Sequence, residues 1–516
     1  MDENTPKPLD PNPRSIVPAL TRRDLLTSGA LAGGALLVGG RTAGQEARPE
    51  TPPAGPPQPE RDVKLREENP GRDNVPPQHA HLPPGEPGRD YTPVVVPNGW
   101  TLPHALVDGV KVFHLVAEEV RHEFAPGLVA ICWGYNGGVH GPVIEAVEGD
   151  RVRIFVTNKL PASTTVHWHG VLLPSGMDGV GGLSQRAIRP GETFMYEFTL
   201  VQHGTLMYHS HHDEMTQMGL GLTGMFVIHP RRPTGPRPDR DFALLLHEWH
   251  IEPGASRPDP NEMTDFNVLT INAKAFPGTR PLVARLGDRV RIRLGNLGAM
   301  NHHPIHLHGY GFIITETDGG PIPESGRWPE TTVLVPVGST RTIEFTADNP
   351  GDWALHCHMT HHVMNQMGEN LTNMIGVDSS GLDAQVRSLL PGYMTMGQAG
   401  MEGMSDMGMP VPPNSIPMLG GAGPYGEITM GGMFTILKVR ENPPSDGEDP
   451  GWYRPPAGTL AAAATAEALR ANRIAPDAGS APRAPAEAMR AWRQAPAGRE
   501  RPAPAQPGAH SGHDRD

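Results

Sequence analysis

The stretch 148-EGDRVRIFVTNKL-160 returns in the second half of the chain as 286-LGDRVRIRLGNLG-298. Each copy runs a Gly-Asp turn into Arg residues alternating with Val and Ile, and each reaches an Asn eight residues after the Asp. A period of two sends alternate side chains to opposite faces of a strand, so both copies read as strands with one apolar face. Similar short runs flank each copy. GLVAICWGYN, VIEAV, ETFMYEFTL and GMFVIHP accompany the first, and FALLLHEWHI, LVAR, GFIITETDG, RTIEFTAD and NMIGVD the second, separated by Gly, Pro, Asn and Asp turns. The pattern predicts an all-β chain made of two copies of one β-sandwich.

Composition says what surrounds them. With 62 Gly, 58 Pro and 37% hydrophobic residues in 516, long segments cannot belong to a packed core. Residues 46–97 read as a disordered Pro-rich linker, in which the His79 and His81 pair is solvated, and residues 441–516 as a disordered tail. The sandwiches are expected over 98–234 and 235–380, with a Met-rich segment and a returning strand over 381–440. Arg22-Arg23 before a short Gly/Ala-rich apolar run gives residues 1–45 the pattern of a twin-arginine export signal, hence a periplasmic or secreted protein. No run is long enough for a stable membrane span. A formal charge of −13 argues against nucleic acid as a partner, and 2 cysteines exclude a disulfide scaffold.

The chain's 25 histidines concentrate in four clusters, two per sandwich: HWHG (167–170), HSHH (209–212), HHPIHLHG (302–309) and HCHMTHH (356–362). In an extended chain each HxH sends two imidazoles to one face, which is half a metal site. At 356–358 the same rule sends Cys357 to one face and both His356 and His358 to the other, so one tripeptide serves two sites. A thiolate, two imidazoles and a weak thioether are the donors of a blue-copper centre, and Cys357, His362, Met367 and His303 supply them. Elsewhere, Cys132 reads as a small buried hydrophobe, and His247 and His250 as structural. Nine of the 23 methionines fall in 392–434, either as soft donors that recruit Cu(I) or as an adaptable flap.

These motifs resemble the multicopper oxidases, a family that includes laccases and cuprous oxidases, over roughly residues 141–378. The resemblance implies cupredoxin-like Greek-key sandwiches and four coppers per functional unit. Type 1 copper would take His303, Cys357 and His362 with Met367 axial. Type 2 would take His167 and His306, and the type 3 pair His169, His209, His211, His308, His356 and His358. It also implies one-electron oxidation of a phenol, an aromatic amine or Cu(I), electrons passing from Cys357 to His356 and His358, and reduction of dioxygen to water. Asp178 stands where the family keeps a proton-relaying acid, though a Gly-flanked Asp is also ordinary turn chemistry. Neighbouring histidines leave registers to settle; the resemblance favours His303 over His302 and His362 over His361, and leaves His212 either orienting a ligand or at the surface. Only 91 residues, 212–302, lie between His211 and His303, too few for a third domain. Two-domain members share the three-copper site between subunits of a ring, so a homotrimer is expected. Val363 stands where some relatives carry a carboxylate. Two other readings remain: a copper nitrite reductase, and a copper-sequestering resistance protein involved in copper homeostasis.

Overall fold

A computed structural model describes residues 82–366, 378, 380–389, 412–444 and 447–474. The export signal, Met367, the methionines at 394–409 and most of NMIGVD lie outside the described residues.

Two sandwiches form, as the repeat predicts. In the first, Val110–Ala125 pairs in parallel with Arg151–Asn158, which pairs antiparallel with Thr193–Thr199; Ala105–Val107 and Leu128–Tyr135 join this sheet through Val110–Ala125. Its second sheet holds Ile144–Val147, Thr223–His229 and Gly204–His209. In the second sandwich, Arg289–Asn296 again lies parallel to an earlier strand, Arg240–Trp249, and antiparallel to a later one, Ser339–Thr346. The opposing sheet has the order Leu282–Arg285, Phe434–Arg440, Gly351–Cys357, His303–Leu307 and Thr332–Val335.

The echo extends to individual side chains. Asp150 accepts the N–H of Val147 at 2.9 Å, and Asp288 that of Arg285 at 2.8 Å, each closing the turn before its strand. Gly149 and Gly287 take φ of 88° and 92° there, which favours a residue without Cβ. Arg153 pairs with Glu197 across the strands at 2.5 Å, and Arg291 with Glu344 at 2.7 Å. Asn158 and Asn296 accept the N–H two residues onward, both at 2.9 Å, and donate to carbonyls of the next loop. Val152, Ile154 and Val156 fill one core, and Val290, Ile292 and Leu294 the other.

Several expectations need correcting. The strand Val110–Ala125, VKVFHLVAEEVRHEFA, is the longest described and was not among the expected strands, because its charged residues break the apolar run. The expected linker reaches into the fold: Val94–Val95 pairs with the strand at Asp241 and Phe242, and Tyr91 stacks on His229 at 4.1 Å. Within the expected tail, the Tyr453 N–H donates to Asp352 at 2.7 Å and Trp452 covers the Lys438 ammonium at 4.4 Å. A few anchors among prolines and charges suffice to dock these segments. The returning strand, by contrast, is where it was expected: Phe434–Arg440 lies inside the second sandwich, between Leu282–Arg285 and Gly351–Cys357. Arg293, on the polar face of its strand, is nevertheless 1% exposed, because the first sandwich covers that face. Its guanidinium donates to both Asp241 oxygens at 2.8 and 2.9 Å and to Thr205 of the first sandwich at 2.8 Å.

Candidate metal centres

The strands His303–Leu307 and Gly351–Cys357 pair antiparallel with Ile305 opposite Cys357 and His306 opposite His356. Alternation then divides the donors between faces. His303, Ile305 and Leu307 share the core face with Leu355 and Cys357, whereas His306, His308 and His356 take the other. His362 reaches the core face from a turn of 3-10 helix, Thr360–Val363, just after the strand.

On the core face, Cys357 Sγ lies 3.4 Å from His362 Nδ1 and 3.8 Å from His303 Nδ1, and the two nitrogens are 3.2 Å apart. All three side chains are buried. Nitrogens bound about 2.0 Å from one ion at a tetrahedral angle would be about 3.3 Å apart, so this triad has the spacing of a shared metal site. Burial holds His362 neutral, with its pKa down to about 4, and lowers that of His303 as well. Burial also pushes the Cys357 thiol up to about 12. Neutral imidazoles present lone pairs, and a cation would displace the thiol proton. His302, whose Nδ1 accepts from the Val337 N–H at 3.1 Å, and His361 are exposed outside this cluster. Met367 lies outside the described residues.

On the opposite face, the rings of His306 and His308 are 4.8 Å apart and those of His356 and His358 5.6 Å. His308 Nε2 and His356 Nε2 approach to 3.1 Å. His356 Nδ1 donates to the Cys357 carbonyl at 2.9 Å and His306 Nδ1 to the Thr331 carbonyl at 2.7 Å, leaving each Nε2 with a lone pair. His308 and His358 are exposed.

A matching set sits on the first sandwich. Trp168 is buried in the core, which turns His167 and His169 outward on either side. His167 meets His209 in a β-bridge, and His169 Nδ1 lies 3.3 Å from His209 Nε2. His209 Nδ1 donates to the Ser210 carbonyl at 2.8 Å and His167 Nδ1 to the Asp178 carbonyl at 2.8 Å. The Asp178 carboxylate is 3.3 Å from the same His167 nitrogen. His211 packs against both rings, with Nε2 3.1 Å from Glu214.

The sequence reading passed over Glu214, Thr331 and Glu248, since a lone acid or threonine carries no spacing signal. Glu248 stands between His247 and His250, which drew the notice instead. His250 donates to the Asp265 carbonyl at 2.6 Å, and His247 is buried without a hydrogen bond of good geometry. Cys132 lies in an apolar cluster away from every histidine set. Among the described residues, no histidine ring of the first sandwich's set lies against one of the His306, His308, His356 and His358 set.

Multicopper oxidase family profiles match residues 117–233 and 252–376. Copper resistance protein A of Pseudomonas syringae pv. tomato is 41% identical over 232 residues, 36% of this chain and 38% of that one. Laccase-1 of Botryotinia fuckeliana is 29% identical over 301 residues, 52% of each chain. The solved blue copper oxidase from Nitrosomonas europaea is 27% identical, with a TM-score of 0.48, over 64% of this chain and 85% of that one. The match to copper resistance protein A thus spans well under two thirds of that relative's length. One profile on each sandwich, over the strands that carry the four histidine clusters, makes the chain a member of the multicopper oxidase family.

Proposed function

We propose that this protein is a two-domain, laccase-like or cuprous oxidase that couples one-electron oxidation of a phenol, an aromatic amine or Cu(I) to four-electron reduction of dioxygen to water. The observation that carries the reading is a thiol site and an imidazole site on opposite faces of one sheet, with only the Cys357 main chain between them. His303, Cys357 and His362, completed by Met367, would hold type 1 copper; His167 and His306 would hold type 2; His169, His209, His211, His308, His356 and His358 would hold the type 3 pair. Copper in these positions supplies one-electron transfer at the thiolate and dioxygen reduction at the three-ion site.

The chain's own groups do the rest. Burial of Cys357, His303 and His362 keeps water from the thiol site. The Cys357 main chain offers a covalent path of a few bonds to His356 and His358. The Asp178 carbonyl fixes the His167 tautomer, and the Asp178 carboxylate, 3.3 Å from that ring, is placed to hold a proton beside the site. Because neither imidazole set is complete alone, each pairs with the set of another copy, in a homotrimeric ring. The Arg22-Arg23 segment directs export to the periplasm or beyond.

A nitrite reductase reading fits less well. It needs a type 1 cysteine in the first sandwich, where HSHH has none, and only one further copper, whereas eight histidines gather into two sets. A copper-sequestering protein would take up the metal without consuming oxygen. Copper content measured with oxygen uptake separates these readings: about four coppers per chain, a blue band and oxygen consumption are expected. Cys357→Ser should abolish the band and retain the other three coppers. A colourless protein with full copper content would refute the type 1 assignment.

A further inference from the structure

Matching the two parallel strand pairs, Ala117 opposite Asn158 and Leu246 opposite Asn296, puts Glu119 and Glu248 at the same place in the repeated fold. Their surroundings differ. The Glu119 side chain is 45% exposed and is neutralised by Arg257 at 2.6 Å. Glu248 is 2% exposed, and among the described residues no arginine or lysine pairs with it. Its Oε1 accepts the N–H groups of Met300 and Asn301 at 2.5 and 2.9 Å, and its Oε2 accepts from the Asn301 amide at 2.7 Å. Asn296 holds the same loop from its other end through the Gly298 N–H and the Asn301 carbonyl, both at 2.9 Å.

The loop so held, residues 298–301, leads within two residues to His303. Every bond that Glu248 makes is accepted, which an ionised carboxylate does without needing a proton. A buried anion without a cation is costly unless a positive charge lies within reach. Glu248 has that reach through the loop: its Oε1 accepts the Asn301 N–H at 2.9 Å, two residues before His303.

We propose that Glu248 is a positioning residue of the thiol site: it fixes the loop that delivers His303 to Cys357 and His362, and its negative charge favours the more highly charged oxidation state of the metal held there. The inference rests on the type 1 assignment above. A fixed anion stabilises Cu(II) over Cu(I), so it holds the reduction potential down.

The test uses the full-length copper-loaded protein, titrated electrochemically while the blue band is followed. Glu248→Gln keeps the shape and the Oε1 acceptor but removes the charge. It should retain its copper and its blue band, with the Cu(I) to Cu(II) ratio at a fixed applied potential raised several-fold. Asn301→Ala removes one bond and spares the charge, and should leave the potential in place. An unmoved potential in Glu248→Gln, or an equal shift in Asn301→Ala, overturns the role of the charge. Amide hydrogen exchange of metal-free wild type tests the positioning without any variant: the Met300 and Asn301 amides should be protected, and exchange as fast as that of an open loop overturns it. A wild type without a blue band would defeat the type 1 reading, while the amide measurement would still decide whether Glu248 fixes the loop.

Discussion

The two separate imidazole sets allow a complementation test with a calculable yield. One variant carries His167→Ala and His169→Ala, which spoils the first-sandwich set and leaves Cys357 and the second set intact. The other carries His306→Ala and His308→Ala, which spoils the second set and leaves the first. Each alone should be inactive, since every shared site then lacks two donors. In a mixed ring, a site is whole where the first sandwich of the second variant meets the second sandwich of the first. That sandwich also brings its own Cys357, so the electron path is whole as well. With equal amounts and random assembly, the chance of a whole site is half times half, so about one quarter of wild-type oxygen uptake should return. At other ratios activity should follow the product of the two fractions, with its maximum at equal mixing. The assay is oxygen consumption per total protein by the two variants co-expressed or refolded together, with no selection for mixed rings. If each site were completed within one chain, no mixture could exceed its parents, and a flat profile would refute the shared site.

Other predictions concern stability and the reductant. Arg293→Met leaves Glu316 buried without its cation and Asp241 with only Arg291 at 3.6 Å, so unfolding in urea should show a loss of about 3–5 kcal/mol, as when one partner of a buried pair is removed; a loss below about 1 kcal/mol would show that the network contributes little. His122 is held by burial at a pKa of about 4, below its usual 6.5. Between these values the unfolded chain binds a proton that the folded chain does not, so stability present above pH 6.5 is lost as pH falls. Replacing His122 with Gln should therefore lessen the loss between pH 7 and pH 5 by about 2 kcal/mol, and an unchanged loss in urea titrations at the two pH values would refute this. Deleting residues 394–409 should impair oxidation of Cu(I) more than that of a phenol if their thioethers recruit the metal. A rise in activity toward bulky phenols alone would instead indicate a flap.

Much of the fold was legible because the repeated motif carries both the strand period and the residues that close its ends. The Asp, the second Arg and the Asn do the same work in both copies, so one reading served twice. The grouping of His303, Cys357 and His362 was legible from the donor types and from the resemblance, which picks His303 and His362 out of their adjacent pairs. Which histidines oppose them was not fully legible. That depends on the register of two strands about fifty residues apart, and a shift of one residue would exchange the faces. Glu248 was hidden for a different reason, since a single acid in an apolar strand looks the same whether it meets an arginine or a loop.

Arg293 and the exposed imidazoles show where pattern stops and partners begin. In the repeat Arg293 stands where the first copy has Phe155, on the face that alternation marks as outward. Alternation was right about the face, but that face lies against Thr205 of the other sandwich, so the charge became an internal tie. His308 and His358 pose the same question with the opposite outcome. Their face carries four imidazoles, too many donors for a surface whose only task is solubility, yet within one chain half of them stay open to solvent. Under the proposed function these donors share metal ions with a second set brought to meet them. The first sandwich carries such a set, with His167 and His209 held by carbonyls in the tautomer that leaves Nε2 free. Under the proposed function each sandwich presents half of a site, and the covering surface is that of another copy.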